Sequence, residues 1–152
     1  MVPSRKLRYC NSKSCIQFQN EVNTMSLMAG QGGAMFQGSC HCGTVQFELS
    51  EPPGKLVDCN CSACRRFGAL WGHVPVGSVE IIAAPDSTIS YRHGDRTLAF
   101  HTCRTCGCTT HWENLHQGGE TMAVNFRMCD PKVVDQFQIK RFDGADTWQF
   151  ID

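Results

Sequence analysis

The amino-acid sequence predicts a mainly β domain, and three observations support this fold class. Val45, Phe47 and Leu49 alternate with polar residues, which is the period of a half-buried strand. Further short apolar segments follow at close spacing, and Gly, Pro, Asp or Asn separates most of them. The chain shows neither a strand–helix–strand rhythm nor a repeat of about 20–50 residues. These patterns favour an all-β architecture over an α/β or repeat fold.

The elements are expected in the following order after the first strand. A turn at Glu51-Pro-Pro-Gly54 leads through Leu56-Val57 into a group of cysteines. We expect helical turns only at 63–67 and 131–134. The predicted strands are 45–49, 69–76, 79–83, 89–92, 97–102, 109–112, 121–126 and 137–142.

Composition and charge limit the classes of protein that fit. A length of 152 residues favours one domain. The chain is 41% hydrophobic and 18% charged, as expected for a globular rather than a disordered protein. Fourteen basic and fourteen acidic residues cancel, so we expect no nucleic-acid partner. No stretch approaches the roughly 18 apolar residues of a membrane span, so we expect no membrane partner.

The first 34 residues differ from the rest of the chain. They are polar, rich in Ser, Asn, Gln and Gly, and lack sustained periodicity. We interpret 1–34 as a flexible, disordered leader and 35–152 as the folded domain. A mitochondrial presequence is the alternative for this leader, although its basic residues do not recur along an apolar face.

The cysteines are the main chemical feature of the sequence. There are eleven, an odd number, and most stand in tight groups. No apolar segment of a secretory signal follows the basic residues Arg5, Lys6 and Arg8, so a secreted disulfide scaffold is not favoured. We expect a reduced, cytoplasmic chain whose cysteines bind metal. The three groups are Cys40-His-Cys42-Gly43, Cys59-Asn-Cys61-Ser-Ala-Cys64-Arg-Arg66 and Cys103-Arg-Thr-Cys106-Gly107-Cys108.

A count of ligands divides these cysteines between two zinc sites. A closed structural zinc site takes four ligands, which a pair from the first group and a pair from the third would supply. The four residues are Cys40, Cys42, Cys103 and Cys106. Zinc is favoured for soft thiolate sites without redox chemistry, and an iron–sulfur cluster is the alternative.

The second group supplies three ligands for a second zinc ion. Cys59, Cys61 and Cys64 match the catalytic type of zinc site, in which the fourth position is open to substrate. The alternative is a closed site with one more ligand from elsewhere in the chain. The candidates for that ligand are Cys108, His41, His73, His93, His101 and His111.

The three groups, in this order and with Gly38 before the first, resemble the motifs of the glutathione-dependent formaldehyde-activating enzyme family, which belongs to the centromere protein V superfamily. The resemblance runs from about residue 36 to residue 151. It implies an Mss4-like zinc-binding fold of several small, strongly bent antiparallel β-sheets. It also implies a structural zinc on the four cysteines and a catalytic zinc on the three. Asn60 departs from the family, which usually has His at this position between two ligands.

The resemblance implies a carbon–sulfur lyase activity, in which the thiol of glutathione, or a similar small thiol, adds to formaldehyde or another small aldehyde. Two zinc ions would be the metals, and a small thiol and an aldehyde the partners. No feature of the sequence indicates an oligomeric state.

Arg65 and Arg66 are candidates for binding the carboxylates of a thiol substrate, and surface or zinc-supporting roles are the alternative. His101 and His111 are candidate proton carriers, with structural hydrogen bonding as the favoured alternative.

A second class of function stays open at this point. The protein could be a zinc-stabilised binding module without turnover, or a chaperone-like protein related to Mss4 by fold alone.

Overall fold

The computed structural model describes residues 36–152, so the predicted leader lies outside the described residues. The described part contains ten β-strands, two single-turn α-helices and two short 3-10 helices. The α-helices are α1 (Cys64–Phe67) and α2 (Pro131–Val134), and the 3-10 helices are Val76–Ser78 and Phe126–Met128. The strands are β1 (Phe36–Ser39), β2 (Val45–Leu49), β3 (Leu56–Cys59), β4 (Trp71–Pro75), β5 (Val79–Ala83), β6 (Thr88–Arg92), β7 (Leu98–Cys103), β8 (Thr109–Asn114), β9 (Thr121–Asn125) and β10 (Ile139–Phe142).

The strands form two sheets. The smaller sheet has the order β1-β2-β5, and the larger one has the order β10-β3-β4-β9-β8-β7-β6. All neighbouring strands are antiparallel except β10, which runs parallel to β3 with Phe142 opposite Cys59. The predicted mainly β, Mss4-like fold class is confirmed. The parallel pair adds a connection that strand periodicity cannot reveal, because β10 returns to β3 from far along the chain.

One apolar core joins the two sheets. Phe47 of β2 in the small sheet lies 6.1 Å, centroid to centroid, from Phe126, which follows β9 in the large sheet. Both rings are essentially buried. A side chain at Gly38 would overlap the Phe47 ring, and one at Gly72 would overlap the Phe126 ring. These two glycines therefore allow the rings to pack directly on neighbouring backbone.

The predicted local structure agrees well with the observed elements. Both helical turns occur where they were expected, and β2 and β5 have the predicted bounds. The strand predicted at 69–76 begins later, at Trp71, and ends before the 3-10 helix Val76–Ser78. Within residues 36–152, no helix has the length and apolar character needed to span a bilayer.

Candidate metal centres and the adjoining cleft

The first cysteine pair lies on the turn between β1 and β2. The amide of Cys40 donates to the carbonyl of Val45, and the amide of Gly43 donates to the carbonyl of Cys40, both at 2.9 Å. Gly43 has a φ of 80°, a conformation that favours glycine. The Val45 amide also lies 3.3 Å from Cys40 Sγ and donates to it. The turn therefore directs backbone N–H groups at the sulfur as well as closing the hairpin.

The second pair lies on the turn between β7 and β8, which has the same design. The Gly107 amide donates to the carbonyl of Cys103 at 2.9 Å, and Gly107 has a φ of 75°. The pairing of β7 with β8 shifts register between His101 and Thr102, directly before Cys103. Such an irregularity bends a strand and redirects the residues beyond it.

These two turns bring four sulfurs together. The Sγ atoms of the four cysteines all lie within 4.8 Å of one another. Cys42 Sγ lies 3.6 Å from both Cys40 Sγ and Cys103 Sγ. A tetrahedral zinc with Zn–S bonds of about 2.3 Å separates its sulfurs by roughly 3.8 Å, so the donor set fits zinc. Because one turn belongs to each sheet, an ion here would tie the two sheets together.

Local contacts set the acidity of these thiols in opposite directions. Burial raises the pKa of Cys40 to about 12. The pKa of Cys42 is lowered to about 6, because the side chain and backbone of Thr44 hydrogen bond to its sulfur. A metal ion must displace the remaining protons, so binding here weakens as the pH falls.

The three-cysteine cluster forms where β3 ends and α1 begins. Cys59 is the last residue of β3, and Cys64 is the first residue of α1. Cys61 lies on the turn between them. The three Sγ atoms lie within 4.8 Å of one another, and no other described residue that could ligate a metal belongs to this group. This spacing also fits zinc, with a thiolate set of three.

Each sulfur of this cluster accepts a hydrogen bond from an N–H group. The Cys61 amide donates to Cys59 Sγ at 3.5 Å, and the Cys64 amide donates to Cys61 Sγ at 3.4 Å. The indole N–H of Trp71 donates to Cys64 Sγ at 3.1 Å. N–H donors of this kind stabilise thiolates and orient them for a metal.

Cys59 and Cys64 differ in acidity because they share a hydrogen bond. That bond is the largest cause lowering the pKa of Cys59 to about 6. The same bond, followed by burial, raises the pKa of Cys64. Cys59 is therefore the thiolate of the pair and Cys64 the buried thiol that would lose its proton on metal binding.

The loop after β10 lies against this cluster. Because β10 runs parallel to β3, the carboxyl ends of both strands meet, and the Asn60 amide donates to the carbonyl of Phe142 at 3.1 Å. A Cβ atom at Gly144 would lie 2.7 Å from Cys59 Sγ. The loop therefore packs on the sulfurs so closely that only glycine fits at this position.

The three cysteines line a cleft of about 750 Å³. Five aromatic side chains line its walls, from β4, β7, β8, β10 and the loop after β10: Trp71, Phe100, Trp112, Phe142 and Trp148. Trp71 and Trp112 are buried, whereas Trp148 is 72% exposed. A second hollow of about 380 Å³ continues from the first and shares Val57, His73 and Phe142 with it.

The two candidate arginines occupy different places. Arg65 lines the cleft beside the three-cysteine cluster. Arg66 does not line this cleft in the described part of the chain, and its guanidinium donates to the carbonyl of Ser62 at 2.8 Å. Of the two arginines, Arg65 is therefore the one that borders the cleft.

The histidines considered as ligands or proton carriers separate into two groups. His73 and His93 line the cleft. Burial of the imidazole by the surrounding protein, followed by the charge of Lys55, lowers the pKa of His73. His101 and His111 stack on each other at 4.4 Å, outside the lining of the cleft in the described residues.

His101 and His111 have hydrogen-bond partners of their own. His101 Nε2 lies 3.0 Å from Glu113 Oε1, and His111 Nδ1 lies 2.9 Å from Thr110 Oγ1. Burial, followed by the nearby His101, lowers the pKa of His111 to about 3. His111 is thus a neutral residue of the sheet at physiological pH.

The remaining cysteines stay outside both clusters. Burial raises the pKa of Cys108, which lies near the four-cysteine cluster, and raises that of Cys129 to about 12. The nine described cysteines form no disulfide. Cys10 and Cys15, to which the sequence assigned no role, lie outside the described residues.

Comparisons with known proteins give a matching family and a similar solved structure. The family described as glutathione-dependent formaldehyde-activating enzyme matches residues 35–141 of the chain. The structure is also similar to the crystal structure of a Rhodobacter sphaeroides protein, with a TM-score of 0.56 and 29% sequence identity. That match covers 68% of this chain and 98% of the other.

Proposed function

Since the chain belongs to the glutathione-dependent formaldehyde-activating enzyme family, we propose that it is a zinc-dependent carbon–sulfur lyase that joins a small thiol to an aldehyde. Glutathione is the thiol that the family implies, and formaldehyde the aldehyde. The thiol sulfur forms a bond to the carbonyl carbon, the C=O π bond breaks, and the thiol proton ends on the oxygen. The product is an S-hydroxymethyl adduct when the aldehyde is formaldehyde.

One observation carries this proposal: a three-cysteine cluster with the spacing of zinc ligands lies in the wall of a cleft large enough for a substrate. A structural site is closed by four protein ligands, the number that the four-cysteine cluster offers. Cys59, Cys61 and Cys64 supply three, and all three line the cleft. This difference favours a catalytic role for the second cluster and a structural role for the first.

Each part of the site has a chemical task under this proposal. Zinc held by Cys59, Cys61 and Cys64 would lower the pKa of a substrate thiol and polarise an aldehyde oxygen. The N–H donors to the three sulfurs hold the ligands in one orientation. Arg65 offers a guanidinium to a substrate carboxylate at the edge of the cleft. The aromatic walls restrict water and hold the two reactants close together.

The test is exchange NMR of the equilibrium between glutathione, formaldehyde and their adduct. The zinc-loaded protein should raise the exchange rate above that of the uncatalysed reaction, which proceeds without help. Cys61→Ser should remove this acceleration, because it deletes one of three ligands. Cys129→Ser is the matched control, since Cys129 is buried outside both clusters and should leave the rate unchanged. Equal rates with and without wild-type protein would sink the proposal.

A zinc-stabilised binding module is the second candidate, and the four-cysteine cluster favours it, because that cluster fits a purely structural ion. Mild chelation separates the two candidates. An enzyme should lose and regain the ion of the three-cysteine cluster first, whereas a purely structural protein should release both ions together.

Free thiolates at both clusters suit a reducing compartment, so we assign the protein to the cytoplasm as part of this proposal.

A further inference from the structure

Trp148 is an exposed aromatic residue at the edge of the cleft. Its side chain is 72% exposed, the highest fraction among the exposed large hydrophobic residues of the described chain. Its backbone is in the left-handed region, with a φ of 56°. The Trp148 amide donates to the carbonyl of Asp143 at 2.8 Å, and its ring meets that of Phe142 edge-on at 6.0 Å. The loop thus holds a large apolar surface toward solvent at the mouth of the cleft, where a ligand would cover it.

The space beyond Trp148 is much larger than formaldehyde. The cleft has a volume of about 750 Å³. Formaldehyde has two heavy atoms, and a single water molecule takes about 30 Å³ of liquid volume. Formaldehyde at the three-cysteine cluster would fill a small part of this volume and is too small to cover Phe100, Trp112 and Trp148 together. These walls suit an apolar group about as large as an aromatic ring.

The charges of the cleft do not suit a deeply buried glutathione. Two residues with ionic side chains, Arg65 and Asp95, line it besides its histidines and cysteines. Asp95 Oδ1 already accepts hydrogen bonds from the amide and the hydroxyl of Thr97. Glutathione carries two carboxylates and two amides, and burying these groups against aromatic walls without partners is costly. The polar thiol therefore fits beside Arg65, and the part of the cleft lined by aromatic side chains remains for the aldehyde.

We propose that the aldehyde substrate carries an aromatic or branched apolar group, which packs against Trp148, Trp112 and Phe100 while its carbonyl faces the three cysteines. This inference rests on the proposed function and narrows its substrate class. The reaction balances as before, with a C–S bond formed, the C=O π bond broken and the sulfur proton moved to the oxygen.

Exchange NMR with glutathione and either formaldehyde or phenylacetaldehyde tests the inference on the zinc-loaded protein. The acceleration, expressed as kcat/KM, should be at least about tenfold larger for phenylacetaldehyde, as expected for contacts with an added apolar group. Trp148→Ala should reduce the phenylacetaldehyde value about fivefold and reduce the formaldehyde value by a smaller factor. The matched control is Ile89→Ala, which removes an apolar side chain that is 51% exposed and lies outside the cleft lining.

A binding measurement separates this inference from the proposed function. The alcohol 2-phenylethanol has the apolar group but no carbonyl, and NMR titration should show that it shifts the Trp148 indole signal and binds Trp148→Ala more weakly. If formaldehyde is accelerated while phenylacetaldehyde is not, the inference is overturned and the proposed function stands. If neither aldehyde is accelerated, the reaction is rejected, and binding of 2-phenylethanol still supports an apolar cleft. Absence of binding to the wild-type protein overturns the inference.

Discussion

The side chain of Asn60, which lies between Cys59 and Cys61 in the chain, is hydrogen-bonded to Asp143 in the loop after β10. Asn60 Nδ2 donates to Asp143 Oδ1 at 2.8 Å, and Asn60 Oδ1 accepts from the amide of Ala145 at 2.9 Å. Asp143 Oδ2 in turn accepts from the amide and hydroxyl of Thr147. The residue between two metal-ligand candidates therefore holds the loop that carries Gly144 and Trp148 against the cluster.

Asn60→Ala should loosen this loop and speed the release of metal from the three-cysteine cluster. Each lost hydrogen bond is worth about 1 kcal/mol, and residues that support metal ligands typically change affinity by about 10-fold or more. Stopped-flow transfer of zinc to a coloured chelator measures the release. Gln136→Ala is the matched control, because Gln136 also makes one side-chain bond to backbone, with the Lys132 carbonyl. Equal release rates for Asn60→Ala and wild type would refute the loop's role.

Gly144→Ala should damage the three-cysteine cluster more severely. The added Cβ would lie 2.7 Å from Cys59 Sγ and 3.1 Å from Cys61 Cβ, so the loop or the ligands must move. Cobalt substitution, read by its thiolate charge-transfer absorption, should show a weakened signal from one of two sites. Gly77→Ala is the control, since its Cβ would meet nothing within 4 Å. An unchanged cobalt spectrum in Gly144→Ala would contradict the close packing described.

Trp71→Phe should weaken metal binding at the three-cysteine cluster while the four-cysteine cluster keeps its affinity. The change removes the N–H that donates to Cys64 Sγ at 3.1 Å. A hydrogen bond to a charged group contributes about 2 kcal/mol. Trp112→Phe is the comparison, because it removes similar volume from another buried wall of the cleft. Competition with a chelator should give a larger loss for Trp71→Phe, and equal losses would mean that volume, rather than the hydrogen bond, matters.

Stability should fall on acidification because His111 is buried as the neutral imidazole. The pKa of His111 is lowered from 6.5 to about 3 in the folded protein. Between about pH 3 and pH 6.5, His111 is therefore protonated in the unfolded chain but neutral in the folded protein. The stability that the neutral imidazole contributes is fully present above about pH 6.5 and is lost as the pH falls below this value. At pH 5.5 the loss should be about 1.4 kcal/mol relative to pH 7.5.

Urea unfolding of wild type and His111→Gln at both pH values isolates this contribution. His111→Gln should be less sensitive to pH by about that amount. Effects of pH on the cysteine clusters are common to both proteins and cancel in the comparison. Identical pH dependence in the two proteins would show that His111 does not titrate on unfolding.

Sequence spacing was sufficient to predict the grouping of the cysteines and most of the strands. The turns that carry Cys40 and Cys103 need closely spaced cysteines followed by glycine, and this pattern is readable in the chain. Alternating apolar residues also located β2 and most other strands. Both are local properties, and the physical constraint acts within a few residues.

The surroundings of the three cysteines were not predictable in this way. Asp143 and Gly144 reach the cluster only because β10 pairs with β3, and no local signal specifies this pairing. The bond from Trp71 to Cys64 depends likewise on how β4 packs beside α1. Trp148 carried no periodic signal, and its place at the cleft follows from the loop conformation that Asn60 holds.

The most direct test of the central claim measures exchange NMR rates while a mild chelator removes zinc from the two-zinc protein one ion at a time. Acceleration of adduct exchange should disappear with the first ion released, while the fold and the second ion on the four-cysteine cluster persist. Exchange that continues undiminished after the first ion has left would contradict a catalytic centre at Cys59, Cys61 and Cys64.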